Sequence, residues 1–104
     1  MKQELFKIAQ RLDERYPNGK NPFMIMTRLL EESGELANEV GHFEKTGIKV
    51  EKLGEARKEK LAEEACDVMQ VVAQLAIYYD LGAEMDKILE RRSQDDCEIS
   101  GKNW

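Results

Sequence analysis

Two long stretches of this chain repeat their apolar residues at the spacing of an α-helix, and almost nothing in between can make a sheet. The first starts at Asn21-Pro22, an N-cap residue followed by proline at the first helical position. Its stripe of Ile25, Leu29, Leu36, Val40 and Phe43 predicts a helix from about residue 22 to about 45. The second carries Leu61, Ala65, Val68, Val72, Leu75, Ala76 and Tyr79, and predicts a helix over about 56–80. Leu81-Gly82 ends it, with Gly82 in the C-cap position. Shorter amphipathic segments flank them: 3–15, with Leu5, Ile8, Ala9 and Leu12, and 83–94, with Met85, Ile88 and Leu89. YPNGKNP (16–22) breaks the chain after the first, and TGIKVEKLGEAR (46–57) reads as a polar connection. With no alternating stretch and no solenoid repeat, the expected fold class is all-α, a four-helix bundle.

Size and charge narrow the function. At 104 residues the chain is one domain with a polar tail over about 95–104. A domain this small buries limited surface, and four short helices leave apolar stripes on more than one side, so at least a homodimer is expected. The composition is 36% charged with a net charge of −5, which argues against a basic patch for a nucleic-acid polymer. Phosphorylated ligands stay open where a divalent cation mediates. Cys66 and Cys97 form no CxxC and lie far from the lone His42, so no zinc site is expected. The start, MKQELFKIAQR, has no apolar core of a signal peptide, and no run approaches membrane-spanning length. The expected setting is cytoplasmic, with reduced thiols and no membrane partner.

The acids stand out against this frame. EESGELANEV (31–40) carries Glu31, Glu32, Glu35 and Glu39. Glu32 and Glu35 share a helix face at i, i+3; Glu32 falls in line with Ile25 and Phe43, and Glu35 sits at the stripe's edge. KEKLAEEACDVMQVV (58–72) repeats the arrangement, with Glu64 and Asp67 at i, i+3 beside Leu61, Val68 and Val71. Carboxylates seldom lie on a core face without a partner. Either pair alone reads as solvated surface, as does the Lys60–Glu64 spacing. Two such pairs on long helices that can pack antiparallel converge on one space. There they would repel and raise one another's pKa, and a divalent cation would relieve that. Oxygen ligands without His or Cys suit Mg²⁺ or Mn²⁺, with room for a second ion if Glu31 or Glu63 joins. The chemistry that follows is phosphoryl or nucleotidyl transfer to water.

EESGE (31–35) fits an EExxE motif and EACD (64–67) an ExxD motif. With their contexts, MTRLLEESGELANEV and KEKLAEEACDVMQVVAQLAIYYDL, they resemble the MazG-like all-α nucleoside triphosphate pyrophosphohydrolases, a superfamily that also holds the dimeric dUTPases. The resemblance covers about residues 22–94. It implies a helical bundle whose core is completed by dimerisation, often continuing to a homotetramer. It also implies Mg²⁺-dependent hydrolysis of a (deoxy)nucleoside triphosphate to monophosphate and pyrophosphate, in nucleotide-pool cleansing. Carried over by position, Glu32, Glu35, Glu64 and Asp67 would be metal ligands, and Glu31 would support metal binding or orient the water. The chain looks like a minimal single-motif form without the insertions that shape a base pocket in the dUTPase branch.

Other residues carry weaker signals. Lys49, Lys52, Arg57, Lys58 and Lys60 could neutralise phosphate, though solvated charge is the ordinary reading of each. Arg91, Arg92, Lys102 and Trp104 could close over a neighbouring site, against the simpler expectation of a disordered tail. His42 could contact a base or phosphate, though a lone His near a helix end is ordinarily structural or exposed; Cys66 reads as packing filler, and Met24, Met26 and Met69 as core or interface filler. The alternative to an enzyme is a non-catalytic helical module that binds nucleotide or a partner helix. A di-iron bundle is disfavoured, because such sites take a Glu-x-x-His pattern from each of two helices and this chain has one His.

Overall fold

The computed structural model describes residues 1–44 and 57–94, and the described residues are helical with no strand. Helix α1 spans Lys2–Arg15, α2 Pro22–Phe43, α3 Lys58–Tyr78 and α4 Gly82–Gln94, with a 3₁₀ turn at Pro17–Gly19. The polar connection, with Lys49 and Lys52, lies mostly outside the described residues, and the tail with Cys97, Lys102 and Trp104 wholly so.

Helix α2 begins as its sequence dictates. The Asn21 side chain accepts a hydrogen bond from the Phe23 N–H at 2.8 Å, and Pro22 follows at N1, where its missing N–H costs nothing. Arg28 donates from Nη2 to the Gly19 carbonyl at 2.7 Å, tying α2 back to the preceding turn. Helix α3 is the centre of the molecule, packed against α2 on one side and α1 on the other. Gln74 of α3 is buried and donates from Nε2 to Asp13 of α1 at 3.1 Å. The fourth helix has no buried residue; Lys2–Asp86 is an ion pair joining it to α1, and Gly82 lies against the Phe6 ring. An apolar cavity of about 270 Å³, lined by Phe6, Val68, Val72, Met85 and Leu89 among others, lies between α1, α3 and α4.

The end of α3 corrects one expectation. Gly82 is not its C-cap but the first residue of α4. The left-handed position falls on Asp80, at φ 54°. Leu81 N–H bonds the Ala76 carbonyl at 2.8 Å and Asp80 N–H the Ile77 carbonyl at 3.1 Å, the two bonds of a Schellman end. Aspartate is among the few side chains that tolerate this conformation, so the left-handed turn comes two residues before the glycine and the helix ends at Tyr78.

The buried faces are also rotated from the expected stripes. On α2, Ile25, Glu39 and His42 are buried and Leu29, Glu32 and Leu36 half-buried, whereas Val40 and Phe43 are exposed. On α3 the buried residues are Glu64, Val71, Ala73, Gln74 and Ala76, with Val72 and Tyr79 exposed. Cys66 is exposed rather than packing filler. Met24 and Met26 are exposed too, and Met69 is half-buried.

The strained end of α3 yields a stability prediction. Asp80→Gly should relieve the left-handed strain and stabilise the protein by about 0.5–1 kcal/mol, set against glycine's greater unfolded-state entropy. Thermal unfolding checks it: a raised melting temperature is expected, and a lowered one would mean the Asp80 side chain contributes more than its backbone strain costs.

Candidate metal centre

The polar groups of α2 that point at α3 follow helix geometry. Glu32, Glu35, Glu39 and His42 recur every three or four residues, so they share one face over three turns. Lys60, Glu64 and Asp67 do the same along α3. The charges pair in reverse order: Glu32 feels Glu64 and Asp67, whereas Lys60 feels Glu39. The two helices therefore run antiparallel along a shared polar seam.

At its middle, Glu32, Glu35 and Glu64 each place a carboxylate oxygen within 4.8 Å of the others. Glu64 is buried, at 4% exposure, Glu32 is half-buried and Glu35 is exposed, so the group opens to solvent on the Glu35 side. One oxygen of Glu32 and one of Glu64 are buried with no hydrogen-bond partner among the described residues. A buried carboxylate oxygen without a partner is costly, and two side by side are more so. Asp67 stands beside this group, half-buried, and is coupled to it electrically without joining the three oxygens that lie closest. Glu31 is exposed and outside the three.

The electrostatics follow from that crowding. Burial holds the Glu32 carboxyl above its ordinary range, and the charges of Glu35, Asp67 and Glu64 push it the same way. Asp67 is also raised, first by burial and then by Glu64, with Lys60 pulling against them. Lys60 is the resident cation: its Nζ is 3.0 Å from Glu64 and 3.8 Å from Glu63. The Glu64 bond raises its pKa first and Glu64's charge adds to that.

Two residues of the seam had no assigned place in the sequence-based site. Glu39 is 2% exposed, and its Oε1 lies 3.2 Å from His42 Nδ1, within hydrogen-bond distance. His42 is thus buried and partnered, in line with a structural role. The signal was present in the spacing, since Glu39 and His42 extend the Glu32–Glu35 face by two further turns.

What the arrangement can do is hold a hard divalent cation. The donors are all carboxylate oxygens, they come from two helices, two oxygens have no hydrogen-bond partner among the described residues, and the raised pKa values reflect burial first and neighbouring negative charge second. Compared with known protein families, with curated proteins and with solved structures, the chain matches none.

The raised carboxyls set the sign of a pH effect. A folded-state acid with a raised pKa binds more protons than its unfolded counterpart, so its share of stability is present in acid and lost as pH climbs through the folded pKa. For Glu32 and Asp67 that loss begins near their ordinary values of 4.5 and 3.8 and continues upward. Glu32→Gln removes one of the repelling charges. Without divalent ions it should stabilise the protein at pH 7 by on the order of 1 kcal/mol. The gain should shrink toward zero below about pH 4, where Glu32 is itself neutral. Denaturant unfolding at both pH values, in a chelator, checks this; destabilisation at pH 7 would mean the carboxylate is satisfied in the metal-free protein.

Proposed function

We propose that the chain is a Mg²⁺-dependent nucleoside triphosphate pyrophosphohydrolase of the MazG-like kind, releasing nucleoside monophosphate and pyrophosphate. The observation that carries the proposal is the meeting of Glu32 and Glu35 from α2 with Glu64 from α3, within 4.8 Å, with buried oxygens of Glu32 and Glu64 that have no hydrogen-bond partner among the described residues. These are the EExxE and ExxD positions of the resemblance. They support it independently of motif matching, because helices that merely carried solvated acids would turn them outward.

In this reading Glu32, Glu35 and Glu64 hold the ion. Asp67, one turn beyond Glu64 on the same face, adds negative charge to the site or a further ligand. A bound Mg²⁺ or Mn²⁺ would supply charge neutralisation for phosphate oxygens and a lowered pKa for a water. The protein supplies the rest: Glu64 is fixed by burial, whereas Glu35 lies at the open side where an anionic substrate can approach. Glu31, which is exposed, would support metal binding or orient the water from the solvent side. A cytoplasmic, nucleotide-cleansing setting belongs to the same proposal; no described helix is long and apolar enough to cross a membrane.

A homodimer or larger homo-oligomer is part of it. The fully buried apolar residues of the described chain are Ala9, Ile25, Val71, Ala73 and Ala76, a small core. Meanwhile α2 turns a second apolar face outward, with Phe23 at 80%, Leu30 at 71% and Val40 at 47% exposure. A second copy covering these residues would remove that surface from water.

Two experiments test this reading. With Mg²⁺ and a panel of canonical and damaged triphosphates, the parent should release pyrophosphate, and Glu35→Gln and Glu64→Gln should each cut kcat/KM by more than about 100-fold. Pyrophosphate release that survives both, or none from a folded parent, would sink the enzyme assignment; Mg²⁺-dependent nucleotide binding without turnover would put the non-catalytic module in its place. Sedimentation of the parent should give a dimer or larger, and Leu30→Lys should shift it toward monomer. A monomeric parent would refute the oligomer.

A further inference from the structure

Lys60 occupies an unusual position for a surface lysine. It lies on the first turn of α3, one turn before Glu64, and its ammonium is 3.0 Å from that carboxylate. A solvated i, i+4 pair has two exposed partners; here Lys60 is 44% exposed and Glu64 is buried. The pair is thus half sunk in the seam between α2 and α3. Its geometry is also incomplete, since Lys60 meets one Glu64 oxygen and leaves the other buried without a partner. Glu63, 3.8 Å away and exposed, is a second anchor on the outer side.

The ammonium and a divalent ion would draw on the same charge. An ion among Glu32, Glu35 and Glu64 would place two positive charges on a carboxylate that already holds one. Like charges at a few ångströms in a partly desolvated site repel strongly. Glu64 cannot retreat, because it is buried; Lys60 can, because its flexible stem rises from a half-exposed position at the start of a helix. A polyphosphate brought to the ion then carries negative charge within reach of the freed ammonium.

We propose that Lys60 is a resident counter-ion, displaced from Glu64 when the divalent cation binds, whose released ammonium then pairs with the phosphates of the substrate. This rests on the metal-site reading above and adds to it a positioning residue that couples metal loading to anion binding. Lys60 lowers the affinity for the bare cation and raises it for the cation with its polyphosphate. A lysine that only stabilised the start of α3 would do neither.

The opposite signs make the test. Mn²⁺ binding to the full chain, followed by electron paramagnetic resonance without nucleotide, is compared for the parent, Lys60→Met, Lys60→Arg and Lys58→Met. Lys58 is exposed on the same turn, so Lys58→Met removes equal charge without touching Glu64. Lys60→Met should bind Mn²⁺ on the order of tenfold tighter than the parent, the effect of one nearby unit charge. Lys58→Met should change affinity far less, and Lys60→Arg should stay near the parent. In the presence of saturating Mg²⁺, KM for a triphosphate should rise in Lys60→Met by a similar factor. Unchanged or weaker Mn²⁺ binding in Lys60→Met, with the parent binding normally, overturns the role of Lys60 and leaves the metal site standing. Equal tightening in Lys58→Met also overturns it, because the effect is then the general field. No Mn²⁺ binding by a folded parent overturns the metal site, and Lys60's role with it.

Discussion

Everything in this structure is arranged around one costly contact: Glu64, buried where α3 meets α2, with Glu32 and Glu35 brought against it from the opposite helix. Helix pairs normally close on apolar side chains, because apolar area removed from water is the main source of their stability. Here the middle of the principal interface is acidic. The buried apolar residues of the two helices include Ile25 of α2 and Val71 of α3, with Leu29 and Leu36 half-buried. Antiparallel packing then fixes what each acid faces. Glu32 feels Glu64 and Asp67, and one or two turns along, Glu39 lies within the field of Lys60.

A seam of this kind leaves the single chain short of apolar burial. Five small or medium apolar side chains are fully buried among the described residues, while Phe23 and Leu30 stand almost wholly in water. The covered face of helix α2 carries carboxylates and a histidine among Ile25, Leu29 and Leu36, and Phe23 and Leu30 lie outside it. An amphipathic helix has one apolar stripe for one core. A helix with a polar stripe facing its neighbour and an apolar stripe facing outward makes sense in an assembly, where the outward face is a second interface.

Much of this was legible from residues alone. Asn21-Pro22 marked the start of α2 because its capping chemistry is local and needs no tertiary partner. The two acidic pairs stood out because their spacing set them on or beside the apolar stripe, and the structure brings three of those four carboxylates together. What escaped was set by tertiary geometry. The buried faces are rotated from the expected stripes, since α3 serves two neighbours and its burial follows both contacts. Glu39 and His42 could not be told from surface residues without knowing that α2's polar face is the one covered. Gly82 was the obvious helix stop, but an aspartate two residues earlier took the left-handed turn that glycine would accept more readily. Lys60 at i, i+4 from Glu64 looked like an ordinary surface pair, and only the burial of one partner distinguishes it.

That last distinction decides how the seam is read. Acid clusters on helices are common, and closeness of carboxylates alone does not make a site. A fully compensated buried acid network has each oxygen bonded, as Glu39 and His42 approach it further along. The central group differs: Lys60 compensates one oxygen of Glu64, and the neighbouring oxygens of Glu64 and Glu32 are left without partners. A sequence under selection for stability alone could remove the penalty with one amide or one apolar replacement, because unpaired buried charge is among the most destabilising features a small domain can carry. In a domain with so little core to spare, the cation of the proposed function would relieve that penalty by completing the coordination. Lys60, 3.0 Å from one oxygen of Glu64, offsets part of the repulsion and leaves the other oxygen without a partner among the described residues.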